Sequence, residues 1–325
     1  MLHDRFHRLI TYLRISVTDR CNFRCVYCMP ATGIDIAPRE DLLSFEEIAR
    51  VARVGASLGV NKIRLTGGEP TVRRDLPTLV SMLKNIGGIE ELAMTTNAVL
   101  LGELAAPLKD AGLDRVNISI DTLDRAKAFA IARRDDFDKV QRGIAAAHEI
   151  GLGIKFNTVA MRGTNDDELG DLVEFARGYD AQIRFIEYMP MGEARFDEVN
   201  QTISAREMRL MLNQKFDLVE ETRPPGDPAR GWICARSGAR VGFISSMTDH
   251  FCETCNRMRL TAQGGFRPCL HQDAETDVRA VLRAGGGDDE IRAAYFEAAG
   301  LKWAGHRMND VIPLYSSKEM VAIGG

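Results

Sequence analysis

Strand-like and helix-like segments alternate from residue 13 to about residue 190, with a period of roughly 30 residues. The strand-like segments, rich in β-branched and apolar residues, are LRISVT (13–18), KIRLT (62–66), ELAMTT (91–96), RVNISI (115–120), GIKFNTVA (153–160) and QIRFIEY (182–188). The predicted helices lie at 45–58, 75–86, 99–111, 136–150 and 166–178. We interpret the six strands and the five helices between them as six βα units, the last without an assigned helix, which right-handed crossovers would arrange in one parallel sheet.

The helix at 45–58 has the clearest boundaries. Ser44 stands before it with Glu47 three residues further on, which is the pattern of a capping box. Gly59 follows its last residue, as glycine often does where a helix ends. The segment is therefore predicted to be a helix that joins the first two strands.

Two folds are compatible with such units, a parallel barrel and a doubly wound open sheet. The unusual residues of this chain follow the carboxyl ends of the strands, which is where parallel barrels place their chemistry. These residues are the segment 21–28, Gly67-Gly68-Glu69-Pro70, Thr95-Thr96-Asn97, Ser119-Ile120-Asp121, Met161-Arg162 and Met189-Pro190. Six units instead of eight would leave the barrel open, so we predict an α/β fold with an incomplete (β/α)6 parallel barrel.

The βα pattern ends near the segment 223–231, which is too rich in proline and glycine for a regular element. Beyond it we predict a hairpin at 232–246 and helices near 275–284 and 288–299. The chain is therefore divided into a barrel, residues 1–222, and a smaller C-terminal α+β domain, residues 223–325.

Charge and hydropathy argue against binding to nucleic acid and to membranes. With 42 basic and 46 acidic residues the formal net charge is −4, which gives no electrostatic reason to bind a nucleic-acid backbone. No apolar run reaches the roughly 18 residues of a membrane span, and the first ten residues lack the apolar middle of a secretory signal. We expect a cytoplasmic protein whose thiols stay reduced.

Six of the seven cysteines form two sets of three, and the seventh, Cys234, is predicted to be a core residue. The first set is Cys21, Cys25 and Cys28, which the Cys-x3-Cys-x2-Cys spacing places on one tight loop. Three thiolates suit a cubic iron–sulfur cluster with one open iron. A structural zinc knuckle completed by a distant fourth ligand is the alternative.

The second set is Cys252, Cys255 and Cys269, with His250 and His271 close by in the sequence. Spacing alone does not separate a Cys3His zinc site from a second iron–sulfur cluster with three protein ligands.

The first cysteine spacing, with Tyr27 before the third cysteine, resembles the signature of the radical S-adenosylmethionine superfamily. The Gly67-Gly68-Glu69-Pro70 loop resembles the family's loop at the methionine end of S-adenosylmethionine. The resemblance implies that the cofactor chelates the open iron and is cleaved to a 5′-deoxyadenosyl radical. It implies the cofactor-binding residues Tyr27, Gly68, Glu69, Ser119 and Met189, and metal ligands Cys21, Cys25 and Cys28.

The motif Cys255-Asn-Arg257-Met258-Arg259-Leu-Thr, with Arg267-Pro-Cys269-Leu270 after it, resembles the C-terminal motif of the GTP 3′,8-cyclase family. That family acts first in molybdenum cofactor synthesis, converting GTP to 3′,8-cyclo-7,8-dihydro-GTP. The resemblance covers nearly the whole chain, and it implies a second [4Fe–4S] cluster on Cys252, Cys255 and Cys269. One departure is Ala98, where the family usually has glycine.

The same resemblance assigns substrate and catalytic residues. GTP-binding residues would be Arg14, Arg64, Thr95, Lys155, Arg257, Met258 and Arg259. Catalytic residues would be Arg14, Arg257, Arg259, Gly324 and Gly325, the last two on a tail that reaches into the active site. The Arg73-Arg74-Asp75 segment, by contrast, is interpreted as a solvated helix start.

Partners also follow from the resemblance. They are GTP, an electron donor of the flavodoxin or ferredoxin type, a second copy in a homodimer, and cyclic pyranopterin monophosphate synthase as the recipient of the product. Two alternatives stay open from the sequence. The first is a radical S-adenosylmethionine enzyme that modifies a peptide and carries an auxiliary cluster. The second is a non-enzymatic protein with two zinc knuckles that binds nucleic acid or a partner.

Overall fold

A sheet of twelve strands runs through the residues that the computed structural model describes, which are 1–191, 201–222, 226–310 and 316–324. Its central six strands are parallel and lie side by side in chain order. They are β1 (Tyr12–Ser16), β2 (Lys62–Thr66), β3 (Glu91–Thr96), β4 (Arg115–Ser119), β5 (Gly153–Ala160) and β6 (Gln182–Glu187). Each overlaps a predicted strand.

The unbroken order from β1 to β6 decides between the two folds considered. A doubly wound sheet reverses its strand order at one point and so places helices on both faces. Here the order never reverses, so right-handed crossovers place every connecting helix on the same face and the sheet curls. The incomplete (β/α)6 barrel is confirmed.

The predicted connecting helices are all present, and among the described residues up to β6 one helix was missed; the helix at Ala205–Asn213, beyond β6, was not predicted either. The five expected are α1 (Phe45–Ser57), α2 (Leu76–Lys84), α3 (Leu101–Asp110), α5 (Phe137–Glu149) and α6 (Leu169–Gly178). The missed helix is α4 (Arg125–Ala132), an eight-residue element whose Phe129 is 56% exposed. It lacks the apolar stripe from which a helix is predicted.

The capping box at α1 forms as predicted. The Ser44 hydroxyl accepts a hydrogen bond from the Glu47 N–H at 3.1 Å, and the Glu47 carboxylate accepts one from the Ser44 N–H at 2.7 Å. Two of the N–H groups that a helix start leaves unsatisfied are thereby paired.

The C-terminal strands extend the barrel sheet at both ends. They are β7 (Leu218–Glu220), β8 (Arg230–Cys234), β9 (Arg240–Ile244), β10 (Arg257–Leu260), β11 (Gly265–Arg267) and β12 (Thr276–Asp277). Strand β9 pairs in parallel with β6, and β10 pairs in parallel with β1. The predicted hairpin is β8 and β9. A boundary at residue 222 thus divides the chain but not the sheet.

Three further helices belong to the later part of the chain: α7 (Ala205–Asn213), α8 (Val278–Arg283) and α9 (Asp288–Gly300). The last two overlap the helices predicted near 275–284 and 288–299. Cys234 is 3% exposed and belongs to the apolar core, as predicted.

Alternation along the first strand shows where the core and the barrel interior lie. Leu13 and Ile15 of β1 are fully buried in the apolar core. Arg14, between them, points to the opposite face, because successive strand side chains alternate. On β1, therefore, arginine faces the barrel interior, whereas leucine and isoleucine face the helices.

Within the described residues, no helix combines the length and the apolar character that crossing a membrane requires.

Candidate active site

Two adjoining cavities lie at the carboxyl ends of the parallel strands. The first is lined by the first cysteine set and by the loops after β2, β3 and β4. The second is lined by the second cysteine set and by interior residues of β1, β2, β4, β5, β6 and β10. The two cavities share the wall residues Tyr27, Thr95, Ser119, Asp121 and Met320. A molecule in one cavity would therefore face a molecule in the other.

The loop after β1 turns Cys21, Cys25 and Cys28 toward the first cavity. The Cys28 N–H donates to the Cys25 carbonyl at 2.9 Å, and the Phe23 N–H donates to the Cys21 sulfur at 3.4 Å. Burial, followed by the charge of Glu69, raises the pKa of Cys21 to about 11. Burial also raises the pKa of Cys25 and Cys28, so the set is stable as thiols.

Three neighbouring thiols with raised pKa values are consistent with an iron–sulfur cluster. Cluster irons supply the positive charge that converts such thiols to thiolates, since a coordinating thiol is deprotonated outright. Across the described ranges, no three His, Cys, Asp or Glu side chains converge closely enough to hold a single metal ion. A cluster does not require that convergence, because its cysteines bind different irons.

The second cysteine set is electrostatically mixed, since burial raises the pKa of Cys252 whereas the pKa of Cys255 is lowered. Cys252, Cys255 and Cys269 all line the second cavity. Burial opposes ionisation of Cys255, but the charges of Arg257 and Lys302 outweigh it and lower its pKa to about 6. Cys255 is therefore a thiolate at neutral pH, which is the form that binds metal.

Lys302 is held in place by backbone acceptors from both sides of this set. Its ammonium donates to the Arg257 carbonyl at 2.8 Å and to the Pro268 carbonyl at 2.6 Å. Sequence reasoning did not identify Lys302, which follows α9 far from either cysteine motif.

Three histidine rings stand together on the wall of the second cavity. The His306 ring centroid lies 5.0 Å from that of His250 and 5.2 Å from that of His271. Burial and the proximity of His306 lower the pKa of His271 to about 3, so His271 is neutral. His271 Nδ1 and His306 Nε2 are buried and have no hydrogen-bond partner within the described part of the chain.

The Gly67-Gly68 pair lets the loop after β2 lie directly against the cysteine loop. A Cβ atom on Gly68 would stand 2.1 Å from the Arg20 carbonyl oxygen, and one on Gly67 would stand 2.6 Å from that of Thr18. Backbone atoms cannot move aside as a flexible side chain can, so larger residues would separate the two loops.

Glu69 ties this loop to the loop after β3. It is 2% exposed, and one carboxylate oxygen accepts from the hydroxyls of Thr71 at 2.6 Å and Thr96 at 2.7 Å. The other oxygen accepts from the Asn97 N–H at 2.7 Å. An oxygen of a carboxylate can accept two hydrogen bonds, so this second oxygen can still accept from a ligand ammonium.

The departure at Ala98 has a visible structural cost. Ala98 adopts φ of +66°, in the left-handed region that favours glycine. Its N–H donates to Thr96 Oγ1 at 3.0 Å, which holds the turn in place.

Tyr27 and Asp121 form a hydrogen-bonded pair in the wall between the cavities. The Tyr27 hydroxyl donates to Asp121 at 2.7 Å, and the Val159 N–H donates to the other carboxylate oxygen at 2.9 Å. Burial raises the pKa of Asp121 to about 6. Sequence reasoning placed Asp121 at a strand end but did not include it among the site residues.

A row of arginines crosses the floor of the second cavity. In the sheet register, Arg14 of β1 stands opposite Arg64 of β2 on one side and Arg259 of β10 on the other. All three line the cavity. Desolvation lowers the pKa of each, to about 10 for Arg64, and neighbouring arginines lower it further. Like charges side by side in a sheet are destabilising, so the row indicates an anionic ligand.

Further polar residues of the second cavity were missed by sequence reasoning: Arg184 of β6, Asn117 of β4 and Asn157 of β5. Within the described residues, Asn117 Nδ2, Asn157 Oδ1 and Thr95 Oγ1 are buried without a hydrogen-bond partner. Buried polar atoms normally have partners, so these atoms are suited to a bound ligand. Their position on the interior face of each strand was the available signal.

Two proposed GTP-binding residues lie apart from the described cavity walls. Met258 is 1% exposed and packs in the apolar core, on the face of β10 opposite to Arg257 and Arg259. Lys155 of β5 lies near Arg184, and desolvation, followed by that charge, lowers its pKa to about 8. Only the backbone of Met258 can face the interior. The remaining predicted residues, Arg257 and Met189, line the second cavity.

The C-terminal tail lies against the arginine row. Arg14 donates to the Gly324 carbonyl at 3.3 Å, and Arg259 donates to the same oxygen and to the Ile323 carbonyl at 3.4 Å. Gly324 has φ of +71°, and a Cβ atom there would stand 2.5 Å from Thr66 Oγ1. Gly325 lies outside the described residues.

Comparison with known proteins identifies relatives across the whole chain. The Radical SAM superfamily profile matches residues 15–176, and the Molybdenum Cofactor Synthesis C profile matches residues 181–308. The GTP 3′,8-cyclase of Syntrophomonas wolfei is 43% identical over 324 residues, covering 99% of each chain. That of Moorella thermoacetica is 46% identical over 313 residues, covering 95% of this chain and 96% of the relative. The mitochondrial GTP 3′,8-cyclase of Arabidopsis thaliana is 42% identical over 327 residues, covering 100% of this chain and 84% of the relative.

Solved structures share the fold at low sequence identity. Streptococcus suis SuiB bound to S-adenosylmethionine is similar with a TM-score of 0.61 at 15% identity, covering 88% of this chain and 68% of SuiB. SuiB bound to its precursor peptide SuiA is similar with a TM-score of 0.63 at 16% identity, covering 98% of this chain and 77% of SuiB. At such identity the likeness concerns the fold alone.

Proposed function

The chain belongs to the GTP 3′,8-cyclase family of the radical S-adenosylmethionine superfamily, and on that premise we propose how its two cavities divide the reaction. It converts GTP to 3′,8-cyclo-7,8-dihydro-GTP, the first step of molybdenum cofactor biosynthesis. S-adenosylmethionine would occupy the first cavity and GTP the second. The observation that carries this assignment is the row of Arg14, Arg64 and Arg259 in the second cavity.

Membership of the superfamily brings S-adenosylmethionine and a [4Fe–4S] cluster. Cys21, Cys25 and Cys28 would hold that cluster, and their raised pKa values fit a donor set that ionises only on metal binding. A cluster held by these three cysteines would supply the electron for reductive cleavage of S-adenosylmethionine.

The second cysteine set would hold a second [4Fe–4S] cluster that fixes the guanine of GTP. Support comes from Arg257 and Lys302, whose positive charges lower the pKa of Cys255 to about 6 and would partly compensate the negative charge of metal-bound thiolates. The neutral His271 adds a hydrogen-bonding atom near the same wall.

The chain's own contribution would be placement of the reacting groups. Arg14, Arg64, Arg184 and Arg259 would hold the triphosphate, since guanidinium groups suit phosphate oxygens. Arg257 and the backbone of Met258 would contact the nucleotide near the second cysteine set. Holding two reactants in one geometry replaces a bimolecular encounter and accounts for much of such catalysis.

The other predicted residues also have roles in this arrangement, although for Lys155 the predicted contact with GTP becomes an electrostatic effect at a distance. Thr95, with its unpaired buried hydroxyl, would contact GTP at the wall between the cavities. Lys155 would add to the positive field beside Arg184 without reaching the cavity. Gly68, Glu69, Ser119 and Tyr27 would contact S-adenosylmethionine in the first cavity. Met189 lines the second cavity, so it would contact the cofactor only where the two cavities meet.

Gly324 and Gly325 are proposed to set the geometry of hydrogen abstraction and to exclude water. The contacts of Gly324 with Arg14 and Arg259 support this role. A radical needs a dry chamber, because it otherwise reacts with whatever is near.

The proposed partners are an electron donor of the flavodoxin or ferredoxin type, a second copy in a homodimer, and cyclic pyranopterin monophosphate synthase. A peptide-modifying activity is not favoured, because the relatives of 42–47% identity over nearly the full chain are GTP 3′,8-cyclases.

Anaerobic incubation with GTP, S-adenosylmethionine and dithionite, followed by mass spectrometry of the nucleotide, tests the proposal. We expect 5′-deoxyadenosine and a nucleotide with the mass of GTP that carries a new C3′–C8 bond. Cofactor cleavage triggered by a peptide but not by GTP would contradict it.

A further inference from the structure

A solvent-open groove on the outer side of the first cysteine loop has an unusual charge for this protein. We call it the arginine groove. Its lining includes five arginines, which are Arg20, Arg39, Arg73, Arg74 and Arg283. The chain as a whole has a formal net charge of −4. Positive charge is therefore concentrated here against the overall balance.

The two glutamates of the arginine groove do not neutralise it. Glu47 is engaged by the Ser44 N–H at 2.7 Å and by Arg283 at 3.4 Å. Glu40 is the other. Within the described residues, no salt bridge involves Arg20, Arg39 or Arg74. Three positive charges therefore remain available to an outside partner.

Arg73 fixes the groove to the barrel. Its guanidinium donates to the Val17 carbonyl and to the Leu43 carbonyl, both at 2.6 Å, and stacks on the Phe45 ring at 4.5 Å. Arg74, next to it, is exposed. The Arg73-Arg74-Asp75 segment is thus more than a solvated helix start, because Arg73 anchors a rigid surface from which Arg74 projects.

The arginine groove and the first cavity lie on two sides of one loop. Arg20 lines the groove, and the next residue, Cys21, lines the cavity. The Arg20 carbonyl accepts a hydrogen bond from the Glu69 N–H at 2.8 Å, so the loop is held between the two surfaces. A partner in the groove would stand one residue from a cluster ligand.

We propose that the arginine groove docks an acidic one-electron carrier protein, which supplies the electron that the first cysteine site requires. The inference rests on the proposed function, which requires an electron donor but does not say where on the protein that donor binds. In each transfer the carrier loses one electron and the cluster gains one, and no covalent bond forms or breaks.

The shape of the groove favours a protein over a single inorganic anion. Arg39 and Arg74 are exposed and belong to separate loops, so their charges are spread over an open surface. Such a surface matches the several carboxylates of an acidic protein and accelerates its association at low ionic strength.

The test compares two electron sources for the holoenzyme. In the variant Arg39→Glu/Arg74→Glu, cyclisation driven by a purified, reduced flavodoxin should fall on the order of tenfold or more at low ionic strength. The Kd for flavodoxin should rise by a similar factor. The dithionite-driven rate should stay at the wild-type value, because a small reductant does not need the groove.

The control variant is Arg142→Glu/Arg206→Glu, which makes the same charge change at two exposed positions on α5 and α7. It should keep the wild-type flavodoxin rate and Kd. Wild-type behaviour of the groove variant, or an equal loss in the control variant, would overturn the inference. No product from wild-type enzyme with dithionite would instead refute the proposed function, and the flavodoxin Kd would still report on the groove.

Discussion

The two cavities share a wall but have opposite electrostatic character. The first presents the carboxylate of Glu69 beside thiols whose pKa values are raised, and the carboxylate of Asp121 lies in the wall that both cavities share. The second presents a row of arginines beside a cysteine whose pKa is lowered. S-adenosylmethionine carries a sulfonium and an ammonium, whereas GTP carries phosphates. Each cavity therefore carries charge of the opposite sign to the groups named on its proposed ligand.

The largest effect on iron content and activity should come from replacing a single cysteine of either set by serine. Wild-type protein should contain about eight iron atoms per chain, and Cys25→Ser or Cys255→Ser should each lower this to about four. Cys25→Ser should abolish cleavage of S-adenosylmethionine, and Cys255→Ser should abolish only GTP cyclisation. Iron and sulfide analysis together with product assays test this. One zinc in place of the second cluster would refute the assignment.

The tail should affect GTP chemistry without affecting the first cavity. Gly324→Ala would place a Cβ atom 2.5 Å from Thr66 Oγ1 at a positive φ, so the tail must shift. We expect cyclisation to fall on the order of a hundredfold, as for other small misplacements. Iron content and S-adenosylmethionine affinity should be unchanged.

Gly178→Ala is the matched control for the tail, because a Cβ atom there meets nothing within 4 Å. Normal cyclisation by Gly324→Ala would show that the tail is an ordinary chain end.

Loss of one arginine of the row should weaken GTP binding and reduce the charge repulsion between neighbouring strands of the sheet. Arg64→Met removes a charge from the row, and a lost charged hydrogen bond costs about 1.5–3 kcal/mol, or tenfold or more in the GTP Kd. The ligand-free protein should gain up to roughly 1 kcal/mol in the free energy of unfolding, since cross-strand repulsion falls. Calorimetry of binding and urea titration measure both. A lower free energy of unfolding of the ligand-free protein, together with unchanged GTP affinity, would contradict the prediction.

The smallest effect concerns pH. The pKa of Asp121 is raised to about 6, so the carboxylate is protonated below that pH and charged above it. Affinity for the cationic S-adenosylmethionine should therefore increase several-fold as pH rises from 5 to 7. Asp121→Asn should remove this dependence while GTP affinity keeps its own pH profile. An unchanged pH dependence in the variant would show that another group is responsible.

The barrel and the cysteine sets were predictable from the sequence. The features that were not predicted depend on contacts between segments that are distant in the chain. Local signals such as the Ser44 capping box, strand composition and cysteine spacing were sufficient for the barrel and both cysteine sets. Alternation along β10 could also have shown that Met258 faces the core. The alignment of Arg14 with Arg64 and Arg259 depends on strand register, which one sequence does not reveal. Lys302 is brought to Cys255 only by tertiary packing.

The pairing of β1 with β10 has a consequence for how the chain is made. The Asn256 side chain donates to the Thr11 hydroxyl, 245 positions earlier, and β10 completes the hydrogen bonding of the first strand. During synthesis that edge of β1 must wait until most of the chain has left the ribosome. High contact order slows folding, and an unpaired edge strand is a template for aggregation. Nascent chains stalled before β10 should therefore depend on chaperones, even though their six βα units are complete.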